Sequence, residues 1–256
     1  GRGLCNAGDE DGDGTNDIAV SAFGENALAQ DRGRVRLYSG ADGEFIRDFE
    51  GPHSYCLFGL GNSLACVGDI NGDGRADLGI GSRGASIGVA SSGAVYVYSG
   101  LDGSELFFAS GEDPGDQFGA AVGGGDIDGD GVIDLIIAGF EDDLYYSGGA
   151  VTVIRSSDGV VLAKIWGNSA GDLMGEGMSS ELIDINGDGR GDFAVGLPYD
   201  NPTGLGSQGA VEVWGLDPTA DAAGPAIIGA GFELYPNPSA GAITLRRPSP
   251  LHGPGA

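Results

Sequence analysis

Positive charge is the first thing this chain lacks. Lysine and arginine supply 12 of its 256 residues against 38 aspartates and glutamates, for a formal charge of −26. A chain so acidic has no footprint for a phosphate backbone, which excludes nucleic acid as a partner. No apolar run approaches the roughly 18 residues that a membrane-spanning helix needs. No signal-peptide pattern opens the chain, as expected of a mature product or of a chain that begins inside a repeat. The two histidines, His53 and His252, stand far from any arrangement that would make a nucleophilic triad. Loop acids such as Glu112, Asp113, Glu141, Asp142 and Asp143 read as solvated rather than as a paired-carboxylate catalyst, so no enzyme is expected. The three cysteines, Cys5, Cys56 and Cys66, are an odd set. A Cys56–Cys66 bridge and buried thiols both remain open.

What the chain has instead is glycine, 52 residues of it, and aspartate in a repeated order. The nine-residue pattern D-x-[DN]-G-D-G-x-x-D begins at Asp9, Asp69, Asp126 and Asp184, at separations of 57 to 60 residues. Carboxylates on alternate residues of a tight turn can converge on one hard cation, and the glycines permit the positive φ that the turn requires. The candidate ligands are Asp9, Asp11, Asp13 and Asp17; Asp69, Asn71, Asp73 and Asp77; Asp126, Asp128, Asp130 and Asp134; and Asp184, Asn186, Asp188 and Asp192. Backbone carbonyls of Thr15, Arg75, Val132 and Arg190 complete the sets. Oxygen-only donors favour Ca²⁺ over zinc or copper, so the cofactor expected is calcium, at four sites. Four bound divalent ions would bring −26 to about −18, which accounts for much of the acidity without a cationic partner.

These loops are not EF-hands. An EF-hand needs a bidentate glutamate at its twelfth position and helices on both sides, whereas the twelfth positions here are Val20, Ile80, Ile137 and Val195. Each loop runs into a short β-branched stretch, Ile18–Val20, Leu78–Ile80, Leu135–Ile137 or Phe193–Val195, which reads as a buried strand. The loop therefore joins two strands. An alternating Val/Tyr strand follows, and the Asp42-Gly43, Asp102-Gly103 and Asp158-Gly159 pairs read as two-residue hairpin turns into a fourth strand.

The loop lies inside a longer unit. The second copy runs Leu60-Gly61 through Asp69, then the loop, then Leu78-Gly79-Ile80-Gly81, then Gly93-Ala94-Val95-Tyr96-Val97-Tyr98-Ser99-Gly100. Phe118-Gly119 opens the third copy, Gly196-Leu197-Pro198 stands in the fourth, and strands like that of the second copy recur at 33–40, 149–156 and 209–215. Over about residues 1–215 this resembles the FG-GAP repeat, the blade unit of integrin α propellers and of many bacterial surface proteins. It departs from the pattern where Leu60 replaces the opening Phe and where the fourth copy begins Met174-Gly175-Glu176-Gly177.

The resemblance implies an all-β fold: a β-propeller built from four FG-GAP blades of four antiparallel strands each, with Ca-binding loops between first and second strands. The expected division is repeats at 1–57 (incomplete at its start), 58–115, 116–172 and 173–230, with a C-terminal tail at 231–256. In that tail, Phe232 to Leu245, with Tyr235-Pro236-Asn237-Pro238, resembles the start of a type IX secretion sorting domain. A ring of four blades, a fragment of a longer ring, and an array completed between chains are all compatible with four units.

Extracellular calcium sites work at ~10⁻⁴ to 10⁻³ M, above what cytoplasm offers, so the expected location is extracellular or the cell surface of a bacterium. The expected function is a structural or adhesive module without catalysis. Its partners would be other protein chains, copies of itself among them, and a surface protein or glycan ligand met by loops carrying Tyr145, Tyr146 and Tyr199. The alternatives are a self-assembling protomer of an extracellular filament or sheet and an accessory domain of a larger secreted enzyme. The Arg190-Gly191-Asp192 tripeptide is not expected to serve adhesion, because Asp192 is committed to the fourth loop.

Overall fold

The computed structural model describes residues 3–22, 33–50, 61, 63–140, 148–167, 171–179, 182–185, 187, 189–200 and 209–216, with short strands at 227–228, 233–236 and 243–246. Among them every regular element is a strand. Strands β1 (Leu4–Gly8), β2 (Asp17–Ala22), β3 (Arg34–Tyr38) and β4 (Phe45–Glu50) form a first antiparallel sheet in chain order. Strands β5 (Ser63–Gly68), β6 (Asp77–Ser82), β7 (Ala94–Tyr98) and β8 (Glu105–Ser110) repeat it, as do β9 (Ala121–Gly125), β10 (Asp134–Gly139), β11 (Ala150–Arg155) and β12 (Val161–Trp166). A fourth sheet contains β13 (Phe193–Leu197), β14 (Ala210–Leu216) and β15 (Ile227–Ile228), and β16 (Glu233–Pro236) pairs with β17 (Ile243–Arg246) as a hairpin.

The fourth sheet keeps the same order with an interrupted first strand. Met178 bridges Val195 of β13 and Ile183 bridges Asp192 just before it, both antiparallel. Five steps along the first segment thus face three along its partner, so two extra residues break the ladder. The Ser179 hydroxyl, accepting from the Ala194 amide at 3.1 Å, takes over one backbone partner there.

The middle strands of the second and third sheets are buried on both faces, and the alternation of side chains divides the core into three layers between neighbouring sheets. Leu78, Ile80, Tyr96 and Tyr98 pack against Ala19, Val35, Leu37 and Phe49 of the first sheet. Val95 and Val97 turn the other way, onto Val122, Leu135 and Ile137 of the third. Ile136, Ala138, Val151 and Val153 meet Phe193, Val195, Leu197 and Trp214 of the fourth. Each sheet therefore depends on its neighbours for burial, which is how blades behave.

Glycine sets how closely the sheets approach. Gly93 (φ 77°) forms a parallel bridge to Phe118 of the next sheet, and a Cβ on it would fall inside contact distance of the Phe118 backbone. Gly149 bridges Met174 in the same way, and Met174 is fully buried. The methionine thus fills the aromatic's place at the head of the fourth unit.

The hairpins after β3, β7 and β11 correct one sequence expectation. In the first, the Ser39 amide donates to the Glu44 carbonyl at 2.9 Å and the Gly43 amide to the Ser39 carbonyl at 2.9 Å, which makes a four-residue loop with left-handed Gly43 at its end. The second repeats this with Ser99, Ser104 and Gly103, and the third with Arg155, Val160 and Gly159. The aspartate before each glycine is no corner of a two-residue turn; its carboxylate accepts the amide two residues on, as Asp42 does from Glu44 at 2.9 Å.

Candidate metal sites

Each of the first three acidic loops joins the first strand of its sheet to the second, and the fourth leads from the interrupted segment into β13. Its carboxylates are tied down in the same way each time. The first aspartate accepts two glycine amides: Gly12 and Gly14 on Asp9 at 2.8 and 3.1 Å, Gly72 and Gly74 on Asp69 at 2.7 and 2.9 Å, Gly129 and Gly131 on Asp126 at 2.7 and 3.0 Å, Gly187 and Gly189 on Asp184 at 2.6 and 2.9 Å. All eight glycines have φ between 75° and 90°, a conformation that side chains rarely adopt. The third position accepts the amide of the fifth (Asp13 onto Asp11 at 3.0 Å, Asp73 onto Asn71 at 2.9 Å, Asp130 onto Asp128 at 3.1 Å). The fifth accepts that of the seventh (Thr15 onto Asp13 at 2.7 Å, Arg75 onto Asp73 at 2.9 Å, Val132 onto Asp130 at 2.8 Å).

The ninth position is the buried anchor. Asp17, Asp77 and Asp134 have no exposed surface, and Asp192 is 4% exposed. Asp17 accepts the Glu10 amide at 2.7 Å through one oxygen and the Gly40 amide at 3.0 Å through the other. Asp77 does the same with Ile70 at 2.7 Å and Gly100 at 3.1 Å, so one carboxylate ties the loop to the hairpin after the third strand. A Cβ at Gly40 or Gly100 would collide with the carbonyl of Asn16 or Ala76. The third unit has Ser157 at that position, and there Asp134 Oδ1 has no hydrogen-bond partner. Burial pushes the Asp134 carboxyl up to about 6 and raises that of Asp77, so both ionised groups are poorly compensated without a cation. Asp192 accepts the Ile185 amide at 2.8 Å, which turns the aspartate of the Arg-Gly-Asp tripeptide inward.

The donor set suits a hard divalent ion. Hydrogen bonds from the loop amides hold the carboxylates and leave each oxygen further lone pairs for a cation. Carboxylate oxygens of Asp9, Asp11 and Asp17 lie within 4.8 Å of one another, as do those of Asp126, Asp128 and Asp130. Asp13 and Asp134 lie outside these two groupings. In the second loop Asn71 takes the third position, and its amide donates to Asp73 Oδ2 at 2.8 Å. In the fourth, Asn186 and Asp188 lie outside the described residues, as do Tyr145, Tyr146, His53, His252 and Cys56.

Three features were not anticipated from sequence. Glu10, at the second position of the first loop where the others have Ile70, Ile127 and Ile185, is 3% exposed and neither carboxylate oxygen has a hydrogen-bond partner. Burial, and then Asp77 of the next sheet, push it up to about 7. The guanidinium of Arg75 reaches back one sheet to the Asp9 carbonyl and to Asp9 Oδ2 at 3.3 Å. Cys5 lies beside Cys66; both are thiols, and burial followed by that neighbour pushes Cys5 up to about 12.

Residues 61–98, which span the second loop and its flanking strands, match the FG-GAP repeat family model. Over 161 residues the chain is 34% identical to integrin alpha-PS2 of Drosophila melanogaster, a match over 57% of this chain and 11% of that protein. Over 152 residues it is 35% identical to integrin alpha-E of Homo sapiens, over 54% of this chain and 13% of that one. The chain contains an FG-GAP repeat at residues 61–98. Its four sheets are β-propeller blades, and the chain spans only about an eighth of the length of these curated relatives. Among solved structures it is similar to rhamnogalacturonan lyase YesW, at TM-score 0.49 and 18% identity over 93% of this chain and 49% of that one. Rhamnogalacturonan lyase YesX gives 0.48 and 17%, over 88% and 47%. No helix of the described residues is long and apolar enough to cross a membrane.

Proposed function

We propose that this chain is an extracellular, calcium-stabilised propeller module that acts as a structural or adhesive part of a surface protein and performs no chemistry of its own. The observation that carries the reading is the repeated tying of the loop carboxylates: the same amides hold the first-position aspartate in all four loops, and all the donors are oxygen. Each loop also fastens the first strand of its blade to the second. An ion there would stiffen the blade and neutralise buried carboxylates such as Asp77 and Asp134. The four sites would be Asp9–Asp17, Asp69–Asp77, Asp126–Asp134 and Asp184–Asp192, one in each of the repeats at 1–57, 58–115, 116–172 and 173–230.

The module reading is supported by similarity to a short stretch of much longer integrin α chains. An extracellular location agrees with the calcium levels at which such loops load. We assign the surface to a bacterium on the tail's resemblance to a sorting domain. Calorimetric titration of the chelated protein tests the function: four Ca²⁺ per chain, bound in the 10⁻⁴ to 10⁻³ M range, is the expected result. Absence of binding at 10 mM would refute it.

A further inference from the structure

The four loops differ in charge. Loops one and three contain four aspartates each, whereas loops two and four replace the third-position aspartate with Asn71 and Asn186. The arginines at the seventh position of loops two and four fall in a matching order. Arg75 lies over loop one, with its guanidinium on Asp9 and its Cζ 3.5 Å from where a Cβ on Gly12 would stand. Arg190 lies over loop three, its Nε 3.1 Å from the corresponding point on Gly129; Arg155 of the same sheet also reaches this loop, pairing with Asp128 at 3.3 Å, but shares its charge with Asp158 at 3.2 Å. The equivalent glycines of the other two loops, Gly72 and Gly187, have nothing within 4 Å of that point among the described residues. The residue that could cover loop two is Val132.

We propose that Arg75 and Arg190 are charge-matching residues: each reaches across a blade boundary and offsets the extra aspartate of the preceding loop, so that all four loops load over one calcium range. Without the arginines, loops one and three would bind first. The inference rests on the calcium reading above and deepens it. It assigns the side chains of Arg75 and Arg190 a role separate from their backbone carbonyls, which serve their own loops.

The magnitude follows from Coulomb's law. A guanidinium held about 6 Å from a divalent ion, at the dielectric of water, changes affinity about tenfold. The wild-type chain should therefore titrate with calcium as a single class of four sites, and Arg75→Gln should split off one site about tenfold tighter. Arg75→Lys should keep the single class. Arg75→Gln with Asp11→Asn, which makes loop one like loop two, should restore it. In chelator Arg75→Gln should melt below wild type, because the tie between the first two blades is lost.

A wild-type titration already separated into two classes, or an Arg75→Gln chain whose four sites stay together, would overturn the charge matching and leave the calcium sites standing. Equal tightening by Arg75→Lys and Arg75→Gln would overturn it too, since charge would not be the cause. A chain that binds no calcium at all fails the proposed function itself, and this inference with it.

Discussion

Replacing Asp77 by alanine probes the point at which loop and blade meet. The side chain is fully buried and accepts the Ile70 amide at 2.7 Å and the Gly100 amide at 3.1 Å. Alanine leaves both donors without an acceptor, at about 1–3 kcal/mol each. Burial raises the Asp77 carboxyl, so its ionised form is itself costly in the absence of a cation, and removing it recovers part of that loss. In chelator the net destabilisation should therefore sit near the lower end, about 2 kcal/mol. In calcium at a hundred times the dissociation constant, wild type gains a further ~2.7 kcal/mol from this site that the variant cannot gain, so the gap should widen to about 5 kcal/mol. Urea unfolding followed by tryptophan fluorescence is a suitable assay, because Trp214 is 4% exposed and donates to Glu212 at 3.1 Å, which makes it sensitive to loss of the fourth blade. Asp77→Asn, which keeps one acceptor, should fall between the two. A gap below about 1 kcal/mol in chelator, or one that calcium does not widen, would refute the reasoning.

Other expectations concern charge and packing. Glu10 is raised from 4.5 to about 7 in the folded protein. Its protonated form thus carries stability that is full below the unfolded value and is lost as pH rises through 7. Glu10→Gln should match wild type near pH 4 and exceed it at pH 8 by on the order of 2 kcal/mol in chelator, and parallel unfolding curves over that range would count against the buried placement. Asp134, raised to about 6, and Asp77, also raised, give the variant a residual slope of the same sign, which Asp134→Asn should reduce. Ile80→Ala empties a fully buried position between the first two blades and should destabilise by about 2–5 kcal/mol in urea unfolding, with or without calcium. Gly79→Ala would bring a methyl within 2.7 Å of Val67 Cγ1 and 3.0 Å of Val122 Cγ2, an overpacking that should cost about 1–3 kcal/mol in the same assay.

The blades could be read from the chain because their signals are local. A loop of alternating aspartates followed by Leu78-Gly79-Ile80 specifies its own turn and the strand after it. The structure added what depends on distance along the chain. The Asp-Gly pairs suggested two-residue turns, yet all three hairpins close through four-residue loops, and in the first two the Gly40 and Gly100 amides of that loop serve Asp17 and Asp77. The interrupted first strand of the fourth unit follows from two extra residues facing β13, an offset visible in the sequence only as an altered opening. No local pattern marks Glu10 as buried, since its cover includes Gly100 of the second blade. No local pattern links Arg75 to Asp9, 66 residues earlier, because the contact exists only once two blades stand side by side.

The central claim is that the four loops hold calcium and that the fold depends on it. Thermal unfolding of the purified chain across a calcium series, started from chelator and paired with the calorimetric stoichiometry, tests both parts at once. The account predicts four ions per chain and a melting temperature that climbs steadily with calcium, since ~2.7 kcal/mol per site at a hundredfold excess is large beside the 5–15 kcal/mol that holds a domain together. A melting temperature indifferent to calcium up to 10 mM would contradict it.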